Sequence, residues 1–541
     1  MNVHPRIRRH GAAGATALAV ATLLTACTST PGAGPATPAT SASPATGATR
    51  TAPAASTALT WAACGEKLEC ATLQVPVDHA RKGGARTGIA LVRHRATDPA
   101  RRIGVLMTNP GGPGASGVEQ VRTGVVPPAP GMRPYFGADI LARFDVVGMD
   151  PRGIGASNPL DCQSDAERER GLAADSDPDL PGGLPLAALQ KQYRDLVRGC
   201  LAANDREYLA HLGTDDVARD MDLVRAALGE EKITYLGLSY GTLLGVTYAH
   251  LFPARVRHMV LDAPAHPVRW QADPLKSTEE QAVSAERQLD LYFETCRKQR
   301  AQCRFGDGDP ARAFDRLVDA LEARPLTVPA SPPLPKGRVD GASVLGAARV
   351  GMFSPQLWPA LTSALVAAEK GDGRIVHALT ALLARDRDGT PNALIEGNLA
   401  VNCLDRVRPD RRAMDVQAER LRRVAPRFGP SSAYSTLGCQ EWPAGDAQRV
   451  TGPYTGAGAP PVLVVGGRLD SQTPYPWAQA MAEALDGAVL LTRTGVGHGS
   501  YGSRLNGACI DDAVDAYLTD GTLPARGTVC EQPPPSTAPA G

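Results

Sequence analysis

The sequence predicts an α/β protein with a mostly parallel central sheet, flanking helices, and a large helical insertion between the late strands. Three observations support this prediction. Short apolar runs bounded by turn residues recur along the chain, as buried parallel strands do. Segments in which apolar residues follow the helical period alternate with these runs. The last two runs come only after a long stretch of helical pattern, and that stretch is the expected insertion.

The predicted strands are rich in Val, Ile and Leu, and they lie at 89–93, 103–108, 144–149, 233–238, 257–262, 461–467 and 488–492. The insertion is expected to form a cap over 266–455, with helices at 277–300, 310–323, 359–370 and 411–424. The core is thereby divided into 59–265 and 456–530. Because functional groups of such folds lie at the carboxyl ends of the strands, we expect the cap to cover them.

A Gly-x-Ser-x-Gly string, Gly237-Leu238-Ser239-Tyr240-Gly241, stands between the strand at 233–238 and a helical run at 242–250. Alone it is weak evidence, because a serine in such a string usually lies in an ordinary turn. The strand-turn-helix setting is typical of a nucleophile elbow, where glycines allow a sharp turn between closely packed elements. That turn exposes Ser239 at a helix N-terminus, whose unpaired N–H groups favour negative charge.

A nucleophilic serine needs a base and an orienting acid, and the sequence offers both after later strands. Asp470 follows the strand at 461–467, and His498 follows the strand at 488–492. A single Asp or His in a loop is usually only solvated. The chain order Ser, Asp, His on successive strand ends is, however, that of the α/β-hydrolase fold. We therefore predict a catalytic triad of Ser239, Asp470 and His498.

The predicted oxyanion hole follows the strand at 103–108, in the run Asn109-Pro110-Gly111-Gly112-Pro113-Gly114. The run could also be only a flexible loop, and it lacks the Gly-Lys-Ser/Thr ending of a phosphate cradle. Pro113 has no N–H to donate. The predicted donors are the backbone N–H groups of Gly112 and of Tyr240, the residue after the nucleophile.

The amino-terminal residues 1–27 have the pattern of an export signal: Arg6, Arg8 and Arg9 precede an apolar stretch at 12–24. Leu24-Thr25-Ala26-Cys27 resembles a bacterial lipobox, which predicts lipidation of Cys27; the alternative is an ordinary cleavage site with an incidental cysteine. Residues 28–58 are almost entirely Ala, Thr, Ser, Pro and Gly, so they predict a disordered tether. The tail, 531–541, is also expected to be unstructured.

The chain has eleven cysteines, and setting Cys27 aside leaves an even number, which indicates disulfide bonds and an extracytoplasmic location. The expected pairs join neighbours in sequence: Cys64–Cys70, Cys162–Cys200, Cys296–Cys303, Cys403–Cys439 and Cys509–Cys530. No C-x-x-C or H-E-x-x-H motif occurs, so we predict no metal. The formal net charge is +1 and no basic tract follows the signal, so neither nucleic acid nor an anionic membrane is an expected partner. The only predicted membrane contact is the lipid on Cys27.

The sequence resembles the secreted tripeptidyl aminopeptidases, which are α/β-hydrolases related to prolyl aminopeptidase and to envelope-anchored serine hydrolases. The resemblance covers about 60–530 and rests on Val75-Pro76-Val77-Asp78, on 109–117, on Asp150-Pro151-Arg152-Gly153-Ile154-Gly155-Ala156-Ser157, on 237–242, on Phe252-Pro253 with Val260-Leu261-Asp262, and on Asn402-Cys403-Leu404-Asp405. It implies hydrolysis of a peptide substrate through an acyl-enzyme on Ser239, without a cofactor.

Cleavage from a free N-terminus requires an anionic group to hold the substrate ammonium. Asp405, Glu396 and Glu441 in the cap are the candidates, although each such carboxylate is more often solvated or structural. The alternative enzyme is a carboxylesterase or lipase acting on lipid or xenobiotic esters. A catalytically inactive binding lipoprotein on the same fold is a third hypothesis, which the triad order disfavours.

Overall fold

The structure is a computed structural model that describes residues 59–127, 133–173, 185–386, 388–443, 449–503, 505 and 507–538. The signal, Cys27 and the tether predicted at 28–58 lie outside the described residues. The strands are β1 (Ala62–Gly65), β2 (Leu68–Pro76), β3 (Arg86–His94), β4 (Gly104–Asn109), β5 (Phe144–Met149), β6 (Ile233–Leu238), β7 (Val256–Asp262), β8 (Leu326–Val328), β9 (Gly337–Val339), β10 (Leu463–Leu469), β11 (Val489–Val496) and β12 (Val529–Cys530).

Ten of these strands form one sheet in the order β1-β2-β3-β5-β4-β6-β7-β10-β11-β12. The pairs from β1 to β5 along this order are antiparallel, and all pairs from β5 to β12 are parallel. The prediction of an α/β-hydrolase fold with a mostly parallel sheet is confirmed. Sequence patterns missed three strands of this sheet: β1 is short and mostly exposed at the edge, β2 is only partly buried, and β12 has two residues.

Helices cover both faces of the sheet and fill the segment between β7 and β10. They are α1 (Gly117–Gly124), α2 (Ala138–Arg143), α3 (Asp165–Ala173), α4 (Leu186–Ala203), α5 (Arg206–Ala210), α6 (Thr214–Ala227), α7 (Tyr240–Leu251), α8 (Arg269–Ala272), α9 (Pro274–Lys298), α10 (Arg300–Cys303), α11 (Pro310–Ala323), α12 (Gly341–Gly351), α13 (Trp358–Glu369), α14 (Arg374–Ala384), α15 (Leu394–Asp405), α16 (Arg411–Val424), α17 (Gly429–Ser432), α18 (Tyr475–Ala484) and α19 (Cys509–Asp520).

The segment between β7 and β10 has its own hydrophobic core, separate from the cores on the sheet. Helices α9, α11, α12, α13 and α14 pack around Trp358, Phe293 and Phe314, and the antiparallel hairpin β8–β9 closes one side. Burying an aromatic side chain of this size contributes about 2–3 kcal/mol to stability. This packing explains why helical periodicity located α9, α11, α13 and α16 closely, since each presents one apolar face to a neighbour.

Five disulfide bonds join the neighbouring cysteine pairs expected from the sequence, Cys64–Cys70, Cys162–Cys200, Cys296–Cys303, Cys403–Cys439 and Cys509–Cys530.

The carboxyl-terminal residues depart from the expected unstructured tail. Gln299 at the end of α9 accepts hydrogen bonds from Thr537 N (2.8 Å) and Oγ1 (2.9 Å), and its amide donates to Pro535 O (3.1 Å). Thr537 is fully buried. The Pro-rich composition suggested disorder because it cannot form a core, but an extended segment needs only partners on a neighbouring surface, and α9 supplies them.

Candidate active site

Ser239 lies at the sharp turn between β6 and α7, with φ 59° and ψ −124°. This backbone conformation is rare for a residue with a side chain and is typical of strained functional turns. The flanking glycines are required by close approach: a Cβ on Gly237 would lie 2.4 Å from Gly241 O, and a Cβ on Gly241 would lie 2.6 Å from Asn109 O. The turn therefore has the geometry of a nucleophile elbow, with Ser239 only partly exposed.

Asp470 and His498 form a hydrogen-bonded pair in the loops after β10 and β11. His498 Nδ1 lies 3.0 Å from both carboxylate oxygens of Asp470, which is fully buried. The backbone N–H groups of Gln472 and Thr473 also donate to Asp470 Oδ1, each at 2.8 Å. Burial opposes ionisation, but the charge of His498 and these hydrogen bonds hold the pKa of Asp470 below its ordinary value. An ionised Asp470 fixes the Nδ1–H tautomer and leaves Nε2 as a base.

The buried Asp262 at the end of β7 connects the serine turn to the histidine loop. Its backbone oxygen accepts the N–H of Ser239 (2.9 Å), and its side-chain Oδ2 accepts the N–H groups of Ser500 (2.8 Å) and Tyr501 (2.9 Å). Burial raises the pKa of Asp262 to about 6 in spite of these hydrogen bonds. Within the described residues no hydrogen bond joins Ser239 Oγ to the His498 ring. Such contacts often close only when substrate binds.

Arg493 holds the histidine loop from the core side. Its buried guanidinium donates to Val496 O (2.7 Å), Gly497 O (2.5 Å) and Ser500 Oγ (3.0 Å), and it also binds Gln532 of the carboxyl-terminal segment. Because Arg493 binds acceptors on both sides of His498, it holds the loop that carries this residue in place.

The oxyanion-hole loop lies directly against the serine turn. A Cβ on Gly111 would lie 2.8 Å from Ser239 Cβ and 3.1 Å from Tyr240 N. The N–H of Gly111 donates to Asn109 Oδ1 (2.9 Å), so this group is already used. Tyr240 begins α7, where the first N–H groups have no acceptor inside the helix. With the Gly111 N–H occupied, the oxyanion donors Gly112 and Tyr240 remain the prediction from the sequence.

Helix α15 of the cap rests on this loop. Asn398 Nδ2 donates to Pro113 O (3.0 Å), and a Cβ on Gly114 would lie 2.8 Å from Leu394 O. Elsewhere the cap meets the histidine loop, since His498 N donates to Phe353 O (2.7 Å) and the Phe353 ring packs edge-on against the His498 ring. The cap therefore contacts both parts of the candidate site.

The three predicted amine-binding carboxylates occupy different environments. Asp405 accepts the N–H (3.0 Å) and the hydroxyl (2.5 Å) of Thr214, and that hydroxyl lies 2.5 Å from Tyr240 Oη. Glu396 is 2% exposed, and its Oε1 accepts from Arg168 Nε (2.6 Å), while Oε2 has no hydrogen-bond partner among the described residues. Glu441 is exposed at the surface. The Cys403–Cys439 bond ties the end of α15 to the segment that carries Glu441.

Sequence reasoning did not identify several residues that hold the site together. Asp262 belongs to a motif used only for the resemblance, while Arg493, Thr214 and Asn398 gave no signal at all. Asp150 accepts from Ser116 Oγ (2.5 Å), Val118 N (3.0 Å) and Ala156 N (2.9 Å), so it fixes the loop that follows the glycine run. Arg152 is fully buried and forms two 2.7 Å hydrogen bonds with Asp220. Both motif residues are therefore structural.

Comparison with known proteins decides the family. The model of the α/β-hydrolase fold family matches residues 104–321, and that of the TAP-like protein family matches residues 425–530. The serine protease Hip1 of Mycobacterium tuberculosis is 35% identical over 474 residues, covering 85% of this chain and 87% of that protein. The chain belongs to the TAP-like α/β-hydrolases.

Two further relatives of this TAP-like protein carry different enzyme names. The tripeptidyl aminopeptidase of Streptomyces lividans is 32% identical over 496 residues, covering 88% of this chain and 87% of its own. Carboxylesterase B of Mycobacterium tuberculosis is 35% identical over 495 residues, covering 87% of this chain and 89% of its own. The family establishes a hydrolase, while its members differ between peptide and ester bonds.

No group of three or more His, Cys, Asp or Glu side chains among the described residues could hold a metal ion. Likewise, none of the helices formed by these residues combines the length and the apolar character needed to cross a membrane.

Proposed function

We propose that this TAP-like protein is a serine peptidase that cleaves peptides from a free N-terminus through a Ser239, His498 and Asp470 triad. The observation that carries the proposal is the buried Asp470–His498 pair in the loops beside a strained serine turn. Names of relatives support the peptidase part, since both a serine protease and a tripeptidyl aminopeptidase are among them.

The proposed mechanism builds on the Asp470–His498 pair, and substrate binding closes the contact between His498 Nε2 and Ser239 Oγ. His498 Nε2 removes the proton of Ser239 Oγ as the oxygen attacks the scissile carbonyl, and Asp470 stabilises the resulting imidazolium. The N–H groups of Gly112 and Tyr240 donate to the oxyanion. His498 then donates its proton to the leaving amine, and a water molecule, activated by the same base, hydrolyses the acyl-enzyme.

Among the three cap carboxylates, Glu396 best fits a role in binding the substrate ammonium. Its neighbour Gly397 packs on Gly114 of the oxyanion loop, and Oε2 has no partner among the described residues. Asp405 is less suitable, since Thr214 occupies both of its oxygens. Exposure makes Glu441 a solvated group.

The test compares a free-amine tripeptide chromogenic substrate with its N-acetylated form and with short and long acyl esters. Losing a charge-assisted hydrogen bond to the ammonium should lower kcat/KM by about 10- to 150-fold. Glu396→Gln should lower activity on the free-amine peptide only, because Gln still accepts from Arg168. Glu441→Gln is the matched control and should have no effect. Equal losses on the acetylated peptide would reject the role of Glu396.

The alternative function is that of a carboxylesterase, and the relative named carboxylesterase B favours it. A preference for long acyl esters over the free-amine peptide in the same assay would support this alternative. A fluorophosphonate probe separates both enzymes from an inactive binding protein, because only an active serine hydrolase is labelled at Ser239.

We also propose that the protein works outside the cytoplasm, held at the membrane by a lipid on Cys27. Five disulfides support an oxidising compartment. Two acyl chains, at about 0.8 kcal/mol per buried methylene, suffice for stable anchoring. Cys27→Ala should therefore release active enzyme from the membrane fraction, and unchanged fractionation would contradict the anchor.

A further inference from the structure

Arg406, the residue after α15, is buried, and no carboxylate among the described residues forms a salt bridge with it. It is only 7% exposed, and its guanidinium carbon lies 3.8 Å from the centre of the Trp270 ring. Burial lowers the pKa of Arg406 to about 10, although the charge of neighbouring Asp405 opposes the shift. Asp405 itself turns its two oxygens to Thr214.

No hydrogen bond or salt bridge to the Arg406 guanidinium occurs in the part of the chain that the structure describes, and Nε is fully buried without any partner. The indole Nε1 of Trp270 is also buried without a partner. The guanidinium of Arg406 and the indole of Trp270 thus each contain a buried N–H donor without an acceptor. Buried donors are nearly always satisfied, and an unpaired buried charge is more costly still.

Among the residues that the structure describes, the other two buried arginines, Arg152 and Arg493, are paired, and Arg406 is the exception. Arg152 forms two hydrogen bonds with Asp220 and others with backbone oxygens, and Arg493 reaches two backbone oxygens, a serine and a glutamine. The fold can therefore supply acceptors to buried guanidinium groups. At Arg406 it supplies an aromatic face instead.

A guanidinium stacked by its face keeps its in-plane N–H edge for a ligand, and that edge fits the two oxygens of a carboxylate or phosphate. Trp270 also packs edge-on against Trp477 of α18, and Arg406 directly follows Asp405, whose partner Thr214 reaches the hydroxyl of Tyr240. We propose that Arg406 and Trp270 form a binding site for an oxyanion, supplied either by an acidic group of the substrate or by a free anion. If the oxyanion belongs to the substrate, the proposal rests on the proposed peptidase function; if it is a free anion, the proposal is independent of that function.

The first experiment measures the binding of free anions by thermal unfolding at constant ionic strength. Sodium phosphate and sodium glutarate, each against sodium chloride, should raise the Tm of the wild-type protein. Phosphate also stabilises proteins nonspecifically, so the informative quantity is the difference between variants. Arg406→Gln should lose the increase, and Arg412→Gln, which removes an exposed cation on α16, should keep it.

The second experiment measures kcat/KM for peptides that differ only by Glu or Gln at successive positions before the scissile bond. A charge-assisted hydrogen bond to Arg406 should favour Glu at one position by about 10-fold or more. Arg406→Gln should abolish this preference and leave the Gln peptide unchanged. Arg406→Lys should retain part of it, since it keeps the charge but loses the planar fork. Trp270→Phe keeps the stack and tests the indole N–H, should Arg406→Gln fail to fold.

The two experiments distinguish the sources and can overturn the site. A Tm increase that depends on Arg406 without any preference for Glu assigns the site to a free anion. Loss of peptide hydrolysis altogether would reject the peptidase function, while the Tm experiment would still decide the anion site. Equal Tm increases in wild type, Arg406→Gln and Arg412→Gln, together with no preference for Glu, would overturn the proposal.

Discussion

The two halves of the candidate site differ in how they are held. The loop around His498 is organised mainly by the core, through Asp262 at the end of β7 and Arg493 within β11, and the cap adds a contact from Phe353. The oxyanion half is bound by a cap helix, α15, which contacts Pro113 O through Asn398 and reaches Tyr240 through Asp405 and Thr214. Changes in α15 should therefore affect oxyanion stabilisation more than proton transfer.

This difference lies in what the cap adds. Both pairs of loops follow adjacent parallel strands, β10 and β11 for the acid and the base, and β4 and β6 for the oxyanion loop and the serine turn, so the sheet brings each pair together. Helix α15 then binds the oxyanion loop and, through Asp405 and Thr214, contacts the start of α7. Asp405 also accepts the N–H of Thr214 at the start of α6, which makes it a helix cap supplied from a distant segment.

Ser239→Ala should break both halves at once and give the largest effect. The triad acts as a unit, so we expect kcat to fall by about a million-fold while binding and the oxyanion hole persist. Circular dichroism and Tm should be unchanged, because the turn geometry is carried by the glycines. Activity within tenfold of wild type would show that the nucleophile is elsewhere.

Asp470→Asn should break only the core half. The amide can hold the wrong histidine tautomer, so we expect kcat to fall by about ten-thousand-fold with little change in KM. The measurement is steady-state kinetics on the free-amine peptide and on a short ester, and both should fall equally. A loss confined to one substrate would mean that Asp470 binds substrate instead of orienting His498.

Some residues of the site could be predicted from the sequence and others could not. The elbow, Asp470 and His498 were predictable, since local strand-turn-helix patterns and chain order fix their places on the sheet. The environment of Asp405 was not, because its partner Thr214 lies 191 residues away and no periodicity records such a pairing. Its place in the cap made it a candidate to hold the substrate ammonium, whereas its hydrogen bonds connect it through Thr214 to Tyr240.

Asp405→Asn should break the cap-held half. An amide can accept from only one of the two Thr214 donors, so the hydroxyl pairing that reaches Tyr240 is weakened. We expect kcat to fall by about 10- to 150-fold, equally on the free-amine peptide and a neutral ester. Tyr240→Phe should reproduce part of the loss, and Thr214→Ser, which keeps both donors, should restore near-normal kcat. A loss limited to the free-amine peptide would instead indicate that Asp405 binds the substrate ammonium.

The same residue gives a dependence of stability on pH. Burial raises the pKa of Asp405 from 3.8 to about 6, so the folded state holds this proton more tightly than the unfolded state. Its contribution to the free energy of unfolding is present below pH 4 and lost as the pH rises to about 6. As the pH rises from 4 to about 6, the free energy of unfolding of Asp405→Asn should increase relative to that of wild type by up to about 3 kcal/mol. Urea unfolding at a series of pH values measures this difference. For Asp470, whose pKa is lowered, the sign is opposite.

Removing one disulfide from each half should give the sharpest contrast between the two halves. Cys403–Cys439 closes 36 residues beside α15, and Cys509–Cys530 closes 21 residues next to Gln532, the partner of Arg493. Replacing either pair by alanines should cost about 2–4 kcal/mol of unfolding free energy. Well below the Tm, loss of the first bond should lower kcat as Asp405→Asn does and add little to that variant, because both act through α15. Loss of the second should instead combine additively with Asp405→Asn. Additive behaviour of both bonds would mean that the cap does not position Tyr240, and the division into a core-held and a cap-held half would have to be abandoned.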